Sequence, residues 1–118
     1  MAELIIENNN QKITIKLMQA VSFYERMYGL MFQDDVKPLL FIQKLPWRFY
    51  GIIHTFFMNE TIDIIYISED NKINETITLK PYRFYVPRRG NIKYIIELPE
   101  NTLKRYDITL NSKLKVVI

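Results

Sequence analysis

The chain has 118 residues, of which 48% are apolar and 25% are charged. This balance is typical of a globular protein, and the length predicts a single domain over residues 1–118. The sequence has no cysteine, which excludes disulfides, zinc–thiolate sites, iron–sulfur clusters and a cysteine nucleophile. Its single histidine excludes a histidine-rich metal site within one chain. We therefore expect no metal and no cofactor.

The start of the chain has no basic region and no apolar run of signal-peptide length. No stretch approaches 18 uncharged apolar residues, the length that spans a bilayer. We therefore expect a cytoplasmic protein that does not bind membranes. For its oligomeric state we expect a monomer or a weak homodimer.

The N-terminal third predicts two strands followed by a helix. The apolar residues 4–6 and the alternating residues 13–17 flank an asparagine-rich turn signal, a pattern typical of a β-hairpin. Ser22 and Glu25 have the spacing of a capping box, which predicts a short helix over residues 24–28.

Residues 52–68 are the most apolar stretch and predict two central strands. Ile, Phe, Tyr and Thr dominate residues 52–58 and 62–68, and these residue types favour strands. The runs are nearly continuously apolar, which indicates strands covered on both faces. The Asn59-Glu60 pair between them predicts a turn. We therefore expect the two runs to pair as a hairpin in the middle of a sheet.

The register of this hairpin decides whether His54 and Asp63 share a face. A two-residue loop places Phe56 opposite Asp63 and makes His54 a diagonal neighbour of Asp63, roughly 7–8 Å away at the backbone. A three-residue loop places Phe57 opposite Asp63 instead, and the two polar side chains then point to opposite faces. The sequence leaves both registers open.

Asp63 and His54 each have a structural and a functional interpretation. A carboxylate flanked by isoleucines has to be hydrogen-bonded when buried, and backbone N–H groups of a neighbouring loop satisfy that need. The functional interpretation of Asp63 is a ligand anchor or a base in a cleft. His54 is either a core or rim histidine bonded to a carbonyl, or part of a binding site. We favour the structural interpretation for both residues.

The rest of the chain predicts more strands and a second short helix. Four further segments have the apolar or alternating pattern of strands: residues 39–42, 73–80, 93–98 and 113–118. Asn101 or Thr102 is suited to begin a helix that runs through Arg105. Together the elements predict an α+β, mostly β fold with two short helices. Its core is a strongly curved, mainly antiparallel sheet or small barrel of about seven strands.

The positive charge is concentrated in residues 80–94, which carry five basic residues and no acidic one. Aromatic residues alternate with these basic residues, a pattern that pairs cations with phosphates and stacks rings on bases. The other interpretation is a loop with solvated arginines, in which Tyr82 and Phe84 pack against the core. We favour the solvated loop.

Six short motifs resemble, in order, those of one uncharacterised family. They are RMYGLMF (26–32), LLF (39–41), HTFFM (54–58), IDIIY (62–66), LKPYR (79–83) and IELP (96–99). This set is similar to the conserved domain of unknown function 192, over residues 13–118. The resemblance implies a compact, mostly β domain of α+β type and no established activity. Members usually have arginine where Asn59 stands, so this chain lacks any contribution of that arginine to a shared site.

Two functions remain open. The leading hypothesis is a non-enzymatic module that binds a small molecule or a protein partner at strand ends and adjoining loops. Its predicted site residues are His54, Asp63, Arg83 and Glu97, with Trp47 and Tyr82 as a stacking surface. The alternative is a nucleic-acid-associated module that uses Arg83, Arg88, Arg89, Lys93 and Tyr85. We do not expect an enzyme, because the sequence has no recognisable activated nucleophile and no phosphate-binding loop.

Overall fold

The computed structural model describes residues 2–8, 10–20, 37–43, 47–56 and 58–118. Strands make up most of these ranges: β1 (Ala2–Asn8), β2 (Gln11–Ala20), β3 (Leu39–Ile42), β4 (Ile53–His54), β5 (Ile62–Ser68), β6 (Ile73–Leu79), β7 (Phe84–Tyr85), β8 (Ile92–Pro99) and β9 (Lys113–Val117). A 3-10 turn at Arg48–Gly51 and a short helix, α1 (Thr102–Arg105), complete the regular elements of this part of the chain.

Seven of the strands form one sheet in the order β6-β5-β8-β3-β2-β1-β9. All neighbours are antiparallel except β2 and β3, which run parallel. The sheet curls into a half-barrel, so the predicted mostly β fold with a curved, mainly antiparallel sheet is confirmed. The strands β4 and β7 form a separate two-stranded ribbon.

The core is divided between the two faces of the sheet, and β5 contributes to both. Every residue of β5 is buried, as its continuous apolar pattern predicts. Ile65 and Ile67 pack into a first cluster with β1 and β2, whereas Ile64 and Tyr66 pack into a second cluster that includes Ile53. Successive side chains of a strand point to opposite faces, so one strand supports two cores.

The opening hairpin is present as predicted. β1 pairs with β2 in register from Ala2 opposite Leu17 to Asn8 opposite Gln11. Asn10 in the turn has a φ of 65°, a left-handed conformation that asparagine adopts more readily than most residues. The turn signal therefore marked the correct position.

The predicted pairing of residues 52–58 with residues 62–68 is wrong. Of the described residues in the first run, only Ile53–His54 forms a strand, and it pairs with Phe84–Tyr85 of β7. β5 pairs with β6 and β8 instead. The chain turns after His54 because the carbonyl of Thr55 accepts N–H bonds from both Met58 and Tyr82. The question of a hairpin register between His54 and Asp63 therefore disappears.

The prediction of two short helices is not borne out, since the described residues contain one short α-helix. That helix, α1, lies where the second one was predicted. The other predicted helix, over residues 24–28, lies outside the described residues. Within the described ranges, no helix has both the length and the apolar character needed to cross a membrane.

Candidate functional site

The contacts of Asp63 agree with its structural interpretation, a buried carboxylate held by hydrogen bonds. It is 1% exposed, and its Oδ1 accepts the hydroxyl of Thr78 at 2.8 Å. Its Oδ2 accepts the backbone N–H of Leu103 at 2.9 Å, in the first turn of α1. Asn101, which precedes that turn, makes no side-chain cap. Asp63 therefore satisfies an N–H at the start of the helix and joins α1 to the sheet.

Glu97 lies on the opposite face of the sheet from Asp63. Asp63 is directly opposite Leu98 on β8, whereas Glu97 is directly opposite Ile64 on β5 and Leu39 on β3. Directly opposed residues share a face, and consecutive residues do not. Glu97 is 1% exposed on the side of the second cluster. The sheet itself therefore separates the two carboxylates.

Among the described residues, large exposed apolar side chains are concentrated on two segments, residues 47–56 and 82–84. We call them the aromatic surface. Its members, with their exposed fractions, are Trp47 (64%), Phe49 (61%), Ile52 (39%), Phe56 (41%), Tyr82 (55%) and Phe84 (64%). The β4–β7 pairing brings the two segments together. Surfaces of soluble proteins usually scatter such residues singly.

The ribbon has one buried and one outward face. Ile53 is 1% exposed in the second core cluster, and Tyr85 directly opposite packs against the same cluster. His54 is directly opposite Phe84 and therefore shares the outward face. The half-buried ring of His54 stacks on Phe56, with 5.5 Å between ring centroids. His54 thus lies within the aromatic surface as a rim residue.

Buried Thr55 fastens the two segments to each other. Its backbone N–H donates to the carbonyl of Arg83 at 2.8 Å, and its carbonyl accepts the N–H of Tyr82 at 2.9 Å. Its hydroxyl donates to the carbonyl of Lys80 at 2.6 Å and accepts the N–H of Arg83 at 3.0 Å. These bonds fix the positions of the outward rings on both segments.

Tyr82 has a strained backbone. Its φ is 58°, in the left-handed region. The other non-glycine residues with positive φ in the described ranges are all Asn or Asp: Asn10, Asn71, Asn91, Asn101 and Asp107. A bulky residue at positive φ costs about 1–3 kcal/mol and persists where surrounding contacts enforce it. At Tyr82 the result is a ring turned outward, 55% exposed.

The aromatic surface is rimmed by cations. Residues 47–58 and 80–94 contain no acidic residue, and the exposed basic side chains on them are Arg48, Lys80, Arg83, Arg88 and Arg89. The rest of the chain has ten Lys or Arg against thirteen Asp or Glu. The net charge of +3 therefore arises entirely from these two segments.

A shallow, wide-open cleft of about 550 Å³ lies at one end of the aromatic surface. It is lined mainly by apolar atoms of Trp47, Arg48, Phe49, Gly90 and Asn91. The guanidinium carbon of Arg48 lies 4.4 Å from the ring centroid of Phe49, a cation–π distance. The Nη1 of Arg48 donates to the carbonyl of Pro87 at 3.2 Å, which ties the two walls together.

Gly51 and Tyr66 hold the 3-10 turn that carries one wall of this cleft. The buried hydroxyl of Tyr66 donates to the carbonyl of Gly51 at 2.7 Å. A Cβ on Gly51 would lie 2.9 Å from Cδ1 of Ile92 and 3.0 Å from Cγ of Pro87. Glycine thus allows a close approach of the turn to Ile92 of β8 and to Pro87, which an added Cβ would crowd.

Glu75 on β6 orders the basic loop on the other side of the cleft. Its carboxylate accepts the hydroxyl of Tyr85 and the backbone N–H groups of Arg88 and Arg89, at 2.9 and 3.3 Å. Burial, followed by the hydrogen bond to Glu75, raises the pKa of Tyr85 to about 12. Because Glu75 engages the backbone of the loop, both arginine side chains extend into solvent.

A model of the DUF192 family, described as Uncharacterized ACR, matches residues 4–116. The chain belongs to the DUF192 family. The predicted resemblance is therefore confirmed. Because the family is uncharacterised, membership assigns no activity to the chain.

Curated relatives of this DUF192 protein are UPF0127 proteins of archaea. The one from Pyrococcus furiosus is 33% identical over 89% of this chain and 90% of its own length. The one from Pyrococcus abyssi is 32% identical over 98% and 97% of the two chains. The one from Pyrococcus horikoshii is 34% identical over 95% and 96%. The similarity thus extends over nearly the whole of each protein.

Two crystal structures have the fold of this DUF192 protein. A protein of unknown function from Novosphingobium aromaticivorans superposes with a TM-score of 0.80, covering 96% of this chain and 83% of its own. A candidate transcription regulator from Sinorhizobium meliloti superposes with a TM-score of 0.78, covering 98% and 94%. Both are 18% identical to this chain, so the likeness shows the fold alone.

The predicted ligand-site residues of this DUF192 protein divide into two groups. Trp47, Tyr82 and Arg83 lie on or beside the aromatic surface with His54, whereas Asp63 and Glu97 are buried in the sheet on opposite faces. The structure brings the first group together and separates the two carboxylates. A ligand for any of these residues stays a prediction.

The predicted nucleic-acid residues of this DUF192 protein also divide. Arg83, Arg88 and Arg89 are exposed, but Lys93 is half-buried and Tyr85 packs inward. Sequence reasoning did not assign several surface residues to a site: Arg48, Phe49, Ile52, Phe56 and Phe84. A signal for them was present in the sequence, since residues 47–58 have no acidic residue and five of these twelve are Trp, Phe or Tyr.

Proposed function

We propose that this DUF192 protein is a non-enzymatic interaction module that binds its partner through the aromatic surface. One observation carries the proposal: six large apolar side chains, 39–64% exposed, lie on two segments that pair with each other. Large exposed apolar patches mark interaction sites, and Trp, Tyr and Arg dominate the binding energy at such sites. The remaining exposed apolar residues, such as Met18 and Leu110, lie on other elements.

The strained conformation of Tyr82 supports this function. A chain under selection for stability alone would have Asn or Gly at a φ of 58°. Strained backbone persists at binding sites because it orients a side chain for its partner. The tyrosine ring that this strain turns outward is one of the six members of the surface.

The proposal retains four of the six ligand-site residues predicted from sequence, including His54, whose ring stacks on Phe56. Trp47, Tyr82 and Arg83 belong to the surface or its rim. Asp63 and Glu97 support the sheet behind it. We also retain the proposals of a cytoplasmic location and of a monomer or weak homodimer.

Site-specific photo-crosslinking in the native host tests the function. A benzoylphenylalanine placed at Phe84, which is 64% exposed, should form an adduct with the partner upon irradiation. The matched control is the same group at Leu110, which is 58% exposed and lies outside the aromatic surface. We expect an adduct at Phe84 alone. Equal adducts at both positions, or none at Phe84, would refute the proposal. An adduct of twice the chain mass would identify a second copy as the partner.

A further inference from the structure

We infer that the partner of the aromatic surface is single-stranded nucleic acid, with a base in the cleft of Trp47 and Phe49 and phosphates on Arg48, Arg88 and Arg89. This inference rests on the proposed function and names the chemistry of the partner. It differs from the alternative predicted from sequence in its stacking residues, because the structure turns Tyr85 inward onto Glu75.

The distribution of charge favours an anionic partner. The two segments that carry the rings have no acidic residue, while the rest of the chain has three more acidic than basic residues. A polyanion is therefore attracted to these two segments. Glu75 offsets part of the charge of the loop, but it does so through the backbone of Arg88 and Arg89 and leaves their guanidinium groups exposed.

The shape of the surface favours bases over acidic side chains. Five of its six members are rings and one, Ile52, is aliphatic. Flat aromatic faces next to arginine are the stacking platforms by which proteins hold unpaired bases. The cleft beside Trp47 and Phe49 has a volume of about 550 Å³, and its apolar walls suit a planar base.

The placement of the cations completes the match to a nucleotide chain. Arg48 lies within the cleft wall, against the Phe49 ring. Arg88 and Arg89 are exposed and directly precede Gly90, which lines the cleft. A base in the cleft therefore lies beside Arg48, and the loop that supplies Gly90 carries the two further cations that we assign to the phosphates of a single strand. The bases of a duplex are stacked on one another and unavailable to these rings, so a duplex is bound only through its phosphates.

Trp47 provides a direct measurement, since it is the only tryptophan in the chain. The experiment titrates the full chain with an oligothymidylate of about twelve nucleotides, using tryptophan fluorescence and the anisotropy of a labelled strand. We expect fluorescence quenching by the single strand and none by polyphosphate of equal charge. Three phosphate contacts predict a slope of about −2 for log affinity against log salt concentration.

Matched variants separate stacking from charge. Phe49→Leu and Trp47→Leu keep apolar side chains but remove a ring, and each should weaken oligothymidylate binding about 5- to 150-fold while leaving the salt slope unchanged. Arg88→Ser with Arg89→Ser should instead reduce the slope by about 1.4. The charge control, Lys113→Ser with Lys115→Ser on β9, should leave both affinity and slope unchanged.

Other outcomes would overturn the inference in distinguishable ways. If Phe49→Leu and Trp47→Leu leave oligothymidylate binding unchanged, the rings do not stack on bases and the surface attracts any polyanion through its charge. A fluorescence shift with phosphatidylglycerol vesicles but no response to oligothymidylate would identify a membrane as the partner. In either case a Phe84-specific photo-crosslink would leave the proposed function standing. Absence of that crosslink, with no response to the oligonucleotide, would refute both.

Discussion

The half-barrel sheet and the β4–β7 ribbon use similar residues for opposite purposes. In β5 every side chain is buried, and even Asp63 is satisfied by Thr78 and by Leu103. In the ribbon only one face is buried, and the other presents rings to solvent. Apolar composition therefore predicts strands, but it does not predict which apolar residues stabilise the fold. We propose that the sheet is structural and that the ribbon carries the function.

The largest effect should come from removing the carboxylate that joins α1 to the sheet. Asp63→Ala leaves the part-buried N–H of Leu103 and the hydroxyl of Thr78 without their acceptor and should cost up to about 3 kcal/mol of unfolding free energy. In Asp63→Asn the amide oxygen can still accept the N–H of Leu103 and the amide nitrogen can donate to the hydroxyl of Thr78. This variant should lose about 1 kcal/mol of unfolding free energy. Denaturant unfolding measures both. Equal losses would contradict the structural role, as would a loss of oligothymidylate affinity in folded Asp63→Asn.

An intermediate effect is expected where the two regions touch, at Gly51. An added methyl group meets Cδ1 of Ile92 and Cγ of Pro87 at 2.9 and 3.0 Å, so Gly51→Ala has to shift either these side chains or the 3-10 turn. We expect a loss of about 1–3 kcal/mol in unfolding free energy, accompanied by weaker oligothymidylate binding because the turn carries Trp47 and Phe49. Unchanged stability together with unchanged binding would show that the turn does not depend on this contact.

A smaller effect is expected from Tyr85, which anchors the basic loop to β6. Its pKa is raised from 10.0 to about 12, so the folded protein favours the neutral phenol. The contribution of Tyr85 to the unfolding free energy is fully present below pH 10 and is lost as the pH rises to about 12. Tyr85→Phe should cost about 1 kcal/mol at neutral pH and remove the latest step from the phenolate absorbance titration. An unchanged titration would contradict the contact with Glu75.

The pattern of residue types predicted most of the sheet. The alternation of apolar and polar residues in 13–17 and 73–80, and the asparagine turn signal at Asn10, were sufficient to predict these strands and their turn. Such features depend only on residues that are neighbours in the chain. The partner of Ile53–His54 was not predictable in this way. It depends on Thr55 bonding to Lys80 and Arg83, more than twenty residues away. A local pattern contains no information on such a contact.

The candidate surface was predictable only in part for the same reason. Trp47, Tyr82 and Arg83 were recognised as loop residues next to strands. Asp63 and Glu97 were grouped with them because a polar residue within an apolar run signals either a site or a buried structural bond. Only the register of β5 against β8 shows that these two carboxylates lie on opposite faces of the sheet and do not form one site. The acid-free composition of residues 47–58 was the usable signal for the missing aromatic residues.

The most direct test of this division is to relieve the strain at Tyr82 and measure stability and binding together. Tyr82→Asn installs the residue type found at Asn10, Asn71, Asn91 and Asn101, which also have positive φ. If the tyrosine serves binding, the unfolding free energy should stay constant or rise by up to about 1 kcal/mol, while oligothymidylate affinity falls several-fold. A loss of stability with unchanged affinity would place Tyr82 among the structural residues and contradict the account.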